Sequence, residues 1–348
     1  MKDFPLVSIG TPNYNHSCFL DKCIQSVLEQ TYPNIEYTVL DNQSEDDSVE
    51  VACKYTSAGV KVCRNTINIM HASYGVLLSN LANKKSKYLM LLPSDDYIEP
   101  TFVEKCVSIM EKHHNVGYVH AERDFVTDDG EVIELDPFYD RSFISSGEDV
   151  MPIYMMTTVA HPAQAMFRHS TFYQCGGYEM PVNHFNADKA LWFYMSAISD
   201  YAYIREKLSC IRIGAQTETT VTQKNFQHPV LAYMTLLEFI DYAKRNGYSS
   251  VLERKDEAML KLSSEFLNHA ASAMLDNDLV LSKRYLTFCE LISHKIINSP
   301  AYCEMKKMIK TGNIDRVKLK SYCTLETVRK RGYAPPDGFI EYNTDSRR

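Results

Sequence analysis

The sequence predicts an α/β fold, a mostly parallel central sheet flanked by helices, followed by an all-helical appendage. Three observations predict it. Over the first hundred residues strand and helix signals alternate with short polar links, the pattern of parallel strands joined by covering helices. Tyr88–Leu92 is a run of five large apolar or aromatic residues ended by Pro93-Ser94, too short to cross a membrane and suited to a strand buried on both faces. Beyond about Gln227 the strand signals stop and apolar residues recur at helical spacing.

Leu6–Gly10 reads as the first strand. From Ser17 to Gln30, Phe19, Leu20, Cys23, Ile24, Val27 and Leu28 make one apolar helical stripe, which Thr31-Tyr32-Pro33 ends. Ile35–Leu40 is the second strand, Glu45–Thr56 a helix, Val60–Cys63 a short strand and Ser73–Lys84 a helix ahead of the central Tyr88–Leu92 strand. Thr101–His113 carries Phe102, Val103, Cys106, Val107 and Met110 on one helical side, and Val116–His120 is again a strand. Asp128-Asp129-Gly130 sits between two β-prone runs in Arg123–Pro137, which is hairpin chemistry. Gly147–Met156 suggests a short helix, Ala163–Phe167 a strand, and Cys175-Gly176-Gly177-Tyr178 a break that needs positive φ. A helix over Ala187–Ser199 and closing strands at Tyr201–Ile204 and Lys207–Ile213 complete this part. The remainder reads as four or five helices with no repeat period. The expected organisation is residues 1–226 as the α/β domain, 227–333 as the helical appendage and 334–348 as a flexible tail.

At 348 residues and 45% hydrophobic composition the chain is globular and long for a single core. Its formal net charge of −7 argues against a general nucleic-acid binder, which needs an excess of cations. The ten cysteines are scattered, with no C-x-x-C pair and no zinc spacing, so they read as reduced thiols of a cytoplasmic protein. MKDFPLVSIG lacks the apolar core of a signal peptide, and no run approaches the ~20 residues of a spanning helix. Membrane contact is therefore expected to be peripheral. Between Lys306 and Tyr333 nine Lys or Arg face two acids, read either as a solvated helix surface or as a dock for anionic headgroups or an acidic acceptor. The apolar helices of the appendage must be covered, by the α/β domain or by a second copy in a homodimer.

Adjacent Asp95 and Asp96 directly follow the buried strand, at the carboxyl end where open α/β sheets bind ligands. Like charges side by side call for a cation or donor groups, here a divalent metal holding a nucleotide diphosphate. The competing reading is turn and N-cap chemistry ahead of a helix entered through Pro100. The loops Thr11–Asn15 and Asp41–Ser44 open on the same edge. Tyr14 offers a ring for a base to stack on, and Asp41 or Asn42 an acceptor for a ring N–H such as a uracil imide presents. Ordinary packing and an ordinary turn explain the same residues equally well.

Taken together, VSIGTPNYN (Val7–Asn15), SVLEQTYPNIEYTVLDNQSEDD (Ser26–Asp47), KYLMLLPSDDYIEP (Lys87–Pro100) and GGYEMPVNHFNADKALWF (Gly176–Phe193) resemble glycosyltransferase family 2, the inverting GT-A nucleotide-sugar transferases. The resemblance covers about the first 220 residues and implies a GT-A-like, Rossmann-like sheet. It implies that Pro12, Tyr14, Asp41 and Asn42 hold the nucleotide base, Asp95 the ribose or diphosphate side, Arg212 the diphosphate, Asp96 a Mn²⁺ or Mg²⁺ ion, and Asp188 the role of catalytic base. It further implies a UDP-sugar donor and a glycan or lipid-linked acceptor in bacterial surface-polysaccharide synthesis. Three positions depart from the family pattern. Asn42 stands where a second Asp is usual, Pro93 where a third acidic residue is usual, and Gly214 where Arg-x-His would end, leaving His161 or His184 as spatial substitutes.

The chemistry expected is charge management. A divalent ion at Asp96 stabilises the departing diphosphate, and a carboxylate on the opposite face takes the acceptor's proton, giving in-line displacement with inversion. Asp188 as a simple helix cap is the alternative to its role as base. A nucleotidyltransferase would need a Gly-rich basic loop, whereas Gly10–His16 has one Gly and no Lys or Arg. A catalytically silent binding module acting through the helical appendage is the other alternative, because fold alone does not establish activity.

Overall fold

The structure, a computed structural model, describes residues 4–157, 159–179, 187–214, 226–323 and 331–342. It divides into two compact units, one drawn from Met1–Met151, Thr158–Gly214 and Arg331–Arg348, the other from Pro152–Thr157 and Ala215–Lys330.

In the first unit β1 (Val7–Asn13), β2 (Ile35–Asp41), β3 (Lys61–Arg64) and β4 (Tyr88–Leu91) form a parallel half-sheet in the order β3-β2-β1-β4. Helix α1 (Ser17–Leu28) links β1 to β2 and buries Leu20, Cys23, Ile24 and Val27, the stripe its spacing predicts. Helix α2 (Ser48–Cys53) precedes β3, and α3 (Ala72–Gly75) runs on into a π-helical turn, Val76–Leu81, before β4. That turn packs tightly on β1: a Cβ on Gly10 would lie 3.1 Å from the Leu77 side chain, so the residue must be small. All four residues of β4 are buried, as its unbroken apolar run requires of a strand with neighbours on both sides.

Short β5 (Tyr97–Ile98) and α4 (Phe102–Lys112) follow, then β6 (Val116–Thr127) and β7 (Val132–Ile133). β8 (Phe143–Ser145), α5 (Gly147–Met156), β9 (Ala165–Arg168), α6 (His169–Gln174), α7 (Ala187–Ser196) and β10 (Asp200–Ile213) come next. β9 runs antiparallel between β4 and β6, and β6 pairs in parallel with β10, so the sheet becomes mixed after the parallel half. Two strands outrun their expected limits. β6 extends past His120 to Thr127 because β10 and β7 supply ladder partners, with Gly130 at φ 85° in the predicted hairpin. The two closing strands merge into one β10, whose irregularity is absorbed by register shifts around Ile204, Lys207 and Ser209.

Of the expected tail, 334–348, the described residues 334–342 belong to the first unit, as do residues 331–333, which the sequence assigns to the appendage. β11 (Ile340–Glu341) adds to β8, and the Tyr333 N–H donates to the Phe138 carbonyl at 2.9 Å. Edge strands carry unpaired backbone groups, and β8 satisfies some of its own this way.

The second unit contains six α-helices among its described residues, against the four or five expected: α8 (Gln227–Asn246), α9 (Ser249–Glu253), α10 (Lys255–Leu275), α11 (Leu279–Ile292), α12 (Pro300–Thr311) and α13 (Arg316–Tyr322). The excess comes from short α9 and α13, too brief to show a full apolar period. Phe266, Ala270, Met274, Tyr285, Cys289, Met305 and Leu319 build its core. Asp278 and Asp315 cap α11 and α13, accepting from the N–H groups of Leu281 and Lys318 at 2.8 and 3.0 Å. Among the described residues no helix is long and apolar enough to cross a membrane. All ten cysteines are free thiols.

Candidate active site

Parallel strands bring their carboxyl ends to one edge, and there β1, β2 and β3 end in Asn13, Asp41 and Arg64. Asn13 Nδ2 donates to Asp41 Oδ1 at 3.0 Å and to Ser44 Oγ at 3.2 Å, while the Asn42 N–H donates to the Asn13 carbonyl at 2.8 Å. The other Asp41 oxygen accepts the Ser44 N–H at 3.0 Å and lies 3.4 Å from Arg64 Nε. Asp41, only 1% exposed, thus uses both oxygens to lock two loops together. Asn42 is engaged as well, its Oδ1 accepting from Asn65 Nδ2 at 2.7 Å, but a carbonyl oxygen has a second lone pair to offer a ligand.

Asn15 and Gln43 hold left-handed backbones, φ 54° and 63°, in these facing loops. The Asn15 N–H donates to Ser44 Oγ at 3.0 Å and its Oδ1 accepts from the Glu45 N–H at 2.8 Å, so cross-loop bonds secure the conformation. Tyr14 is left 41% exposed between them, its ring free of the core. Pro12 lies within β1 rather than beyond its end, buried opposite Leu40. β4 pairs with β1 only as far as Gly10, so on that side the missing Pro12 N–H leaves no ladder bond unmade. A cleft of about 420 Å³ at the tips of β2 and β3 is lined by Gln43, Ser44, Glu45, Asp46, Val49, Glu50 and Arg64. With three carboxylates against one guanidinium it suits no phosphate, and Asp95 and Asp96 lie outside its lining.

The acidic loop joins this edge through Ser94, whose Oγ is hydrogen-bonded to His16 Nδ1 at 2.9 Å. Asp95 is half-buried and Asp96 is 2% exposed. Asp96 Oδ1 accepts the Arg212 N–H at 2.8 Å. Its Oδ2 is buried with no hydrogen-bond partner among the described residues, 3.4 Å from His161 Nδ1. Arg212 donates from Nε to the Asp95 carbonyl at 3.2 Å and from Nη1 to the Thr127 carbonyl, and its guanidinium lies 3.9 Å over the Phe19 ring. It thereby fastens β10 to the acidic loop and to α1.

Burial and, after it, the charge of Asp95 push the Asp96 pKa well above the carboxylate range, against the pull of Arg212 and Arg123. His161, whose side chain keeps about a third of its exposure, is pushed down to about 3 by burial and by Arg123. A buried carboxylate oxygen without a protein donor is satisfied by a bound proton, which the raised pKa favours, or by a cation. Asp96 therefore fits a divalent cation. Among the described residues no three His, Cys, Asp or Glu gather into a metal-binding cluster, so such a cation would draw most of its ligands from phosphate oxygens and water.

Asp188 opens α7, its Oδ1 accepting the Lys189 N–H at 2.7 Å. That bond reaches only the next residue from inside the helix, whereas a capping carboxylate accepts from the N–H two or three residues on, and it leaves the carboxylate able to act as a base. Gly176 and Gly177 take the positive φ expected of them, 92° and 55°, and turn the chain so that Tyr178 packs 5.7 Å from Tyr74 of α3. Burial raises the Asp188 pKa, opposed by the Lys189 N–H and ammonium and, more weakly, by His71. His71 closes the loop that leaves β3.

The structure therefore brings Tyr14, Asp41, Asn42, Asp95, Asp96 and Arg212 to one edge of the sheet. Sequence reasoning missed the framework of Asn13, Ser44, Arg64 and Asn65, polar residues whose spacing carries no signal until the strands pair. Of the two histidines suggested as spatial substitutes, His161 meets Asp96, and His184 lies outside the described residues.

Residues 8–176 match the sequence model described as Glycosyl transferase family 2. An uncharacterized glycosyltransferase of Rickettsia prowazekii is 26% identical over 297 residues, 84% of this chain and 86% of that protein. Chondroitin synthase of Pasteurella multocida is 32% identical over 133 residues, 37% of this chain but only 13% of the synthase. Among solved structures, residues 1–349 of S. aureus TarS in complex with UDP-GlcNAc superpose with a TM-score of 0.54 at 15% identity, covering 88% of this chain and 92% of that one. A mannosyltransferase of Pyrobaculum calidifontis in complex with GDP-Man and Mn²⁺ gives 0.50 at 13% identity, covering 91% and 88%.

Proposed function

We propose that the chain, which matches glycosyltransferase family 2 over residues 8–176 and has a GT-A-like fold, carries out an inverting, divalent-metal-dependent transfer of sugar from a nucleotide diphosphate, UDP favoured, to a hydroxyl of a glycan or lipid-linked acceptor. The observation that carries this reading is the buried oxygen of Asp96 at the shared strand edge, which has no hydrogen-bond partner among the described residues. The UDP-GlcNAc complex of TarS and the polysaccharide product of the chondroitin synthases support the donor and a role in bacterial surface-polysaccharide synthesis.

Tyr14 stacks on the base, Pro12 sets the strand end beneath it, and the free lone pair of Asn42, in the loop that Asp41 holds, accepts a ring N–H. Asp95 takes the ribose or diphosphate side, and Arg212, anchored by two carbonyls, directs its remaining N–H groups and charge to the phosphates. Asp96 would hold Mn²⁺ or Mg²⁺, which supplies Lewis-acid stabilisation of the leaving diphosphate. Asp188 accepts the acceptor's hydroxyl proton while the new C–O bond forms on the face opposite the breaking one, and the anomeric centre inverts.

The exposed Lys306, Lys307, Lys310, Arg316, Lys318 and Lys320 of the second unit support peripheral contact with an anionic membrane surface through the basic 306–333 region. Exposed Met234, Leu237, Val280 and Leu291 support a homodimer through the helical unit.

The test is a panel of nucleotide sugars with Mn²⁺ present or chelated, reading thermal stabilisation, donor hydrolysis and product anomer. A UDP-sugar that stabilises only with metal and yields the inverted product is expected. Equal binding under chelation, or a retained anomer, overturns the reading.

A further inference from the structure

We infer that the first unit carries a second ligand site, for the phosphate or carboxylate group of a small anionic molecule, at the sheet edge opposite the acidic loop. A cleft of about 440 Å³ there is lined by Lys84, Ser86, Lys87, His169, Ser170 and Tyr173, a volume within the ~300–1,000 Å³ range of small-molecule sites. Lys87 leads into β4, and its N–H donates at 2.9 Å to the Leu6 carbonyl just ahead of β1. The cleft therefore sits at the amino ends of strands whose carboxyl ends carry the candidate active site, and it shares no residue with that site. No carboxylate stands among its described lining residues, whereas three line the cleft at the tips of β2 and β3.

The donors of this cleft are fixed in place by the protein. Lys84 Nζ donates to the Ser79 carbonyl at 2.6 Å and to the Tyr173 hydroxyl at 3.1 Å, and has no carboxylate partner among the described residues. An ammonium carries three protons, so one remains for a ligand. Lys87 is tied to Glu111 at 2.6 Å, which offsets its charge and leaves Lys84 and its exposed neighbour Lys85 as the net positive field. His169 is fastened twice to the same stretch, its N–H donating to the Lys87 carbonyl at 3.0 Å and its Nδ1 to the Ser86 carbonyl at 2.7 Å. A carbonyl only accepts, so Nδ1 carries a proton, and Nε2 is buried with no hydrogen-bond partner among the described residues. An orphaned buried nitrogen costs free energy. The Tyr173 ring, 45% exposed, links the two groups, with its centroid 4.8 Å from that of His169 and 5.5 Å from Lys84 Nζ. An oxyanion beside Lys84 favours the protonated imidazole, whose Nε2–H then has an acceptor.

The experiment follows the histidine ring nitrogens of the full chain by NMR while inorganic phosphate, glucose 1-phosphate, glucuronate or neutral glucose is added. His169→Asn, which keeps a side-chain N–H for the Ser86 carbonyl, identifies the His169 signals by their loss. At least one of the three anions should shift those signals in the wild type, and glucose should not. A shift by inorganic phosphate shows that the phosphate group suffices, one by glucose 1-phosphate alone that the sugar is read as well, and one by glucuronate alone that the group is a carboxylate. Affinity should fall at least about tenfold in Lys84→Ala, and should weaken as NaCl rises from about 50 to about 500 mM, because the charges are exposed. The wild-type titration needs no variant, so a misfolded variant leaves the test intact. No shift from any of the three anions at about 10 mM, an equal shift from glucose, or undiminished binding by a folded Lys84→Ala overturns the inference.

Discussion

Asp96→Asn should make the metal-free protein more stable while removing its response to metal. At a pH above the raised Asp96 pKa, where the wild-type carboxylate is ionised, one oxygen keeps the Arg212 N–H at 2.8 Å and the other is buried with no donor among the described residues. An amide keeps the first bond through its oxygen, turns its NH₂ toward His161 Nδ1, and removes the repulsion from Asp95. One hydrogen bond contributes about 0.5–1.5 kcal/mol and an orphaned buried acceptor costs about 1–3 kcal/mol, so a net gain of about 1–2 kcal/mol follows. For a unit of this size that raises Tm by roughly 3–6 °C. Metal works in the opposite direction, since Mn²⁺ at a hundredfold excess over its Kd stabilises the wild type by about 2.7 kcal/mol and should leave the variant unmoved. Thermal melts in EDTA and in Mn²⁺ should therefore rank the two proteins in opposite orders. A variant less stable than the wild type in EDTA, or one still stabilised by Mn²⁺, would refute the reasoning.

Asp188→Asn should keep donor affinity and lower the transfer rate by about 10²- to 10⁴-fold, the usual worth of a positioned base. Because the Asp188 pKa is raised and the base acts ionised, the wild-type rate should fall as pH drops through a value above the ordinary aspartate range, and the variant should lack that limb. Tyr14→Ala should weaken nucleotide binding by about 1–3 kcal/mol, roughly 5- to 150-fold by calorimetry. Since the Tyr14 ring is 41% exposed, its removal should change stability by no more than about 0.5 kcal/mol. Lys307 and Lys310 project from α12 away from its buried Tyr302, Met305 and Met308. Reversing both to Glu should cut co-sedimentation with phosphatidylserine vesicles by well over tenfold, at about 1 kcal/mol per charge lost, and binding that persists would remove the membrane contact.

Local patterns determined much of this protein before any tertiary contact was considered. The apolar run Tyr88–Leu92 could only be a doubly buried strand, the α1 stripe could only pack one way, and Gly176-Gly177 announced a left-handed turn. The acidic pair, Tyr14, Asp41 and Arg212 were equally visible, because their signal is residue type at a strand end, which survives in one dimension. Other features were set by strand pairing. Pro12 fell inside β1 because β2 continues the ladder past the end of β4, and Asp41 and Asn42 became loop fasteners because β3 brought Arg64 and Asn65 to them. Residues 331–342 found order by completing an edge strand, a vacancy no local pattern records. The meeting of His161 with Asp96 is the clearest case. Each residue alone has an ordinary local explanation, and only the antiparallel insertion of β9 between β4 and β6 carries the His161 turn to the acidic loop, where its ring comes within 3.4 Å of Asp96.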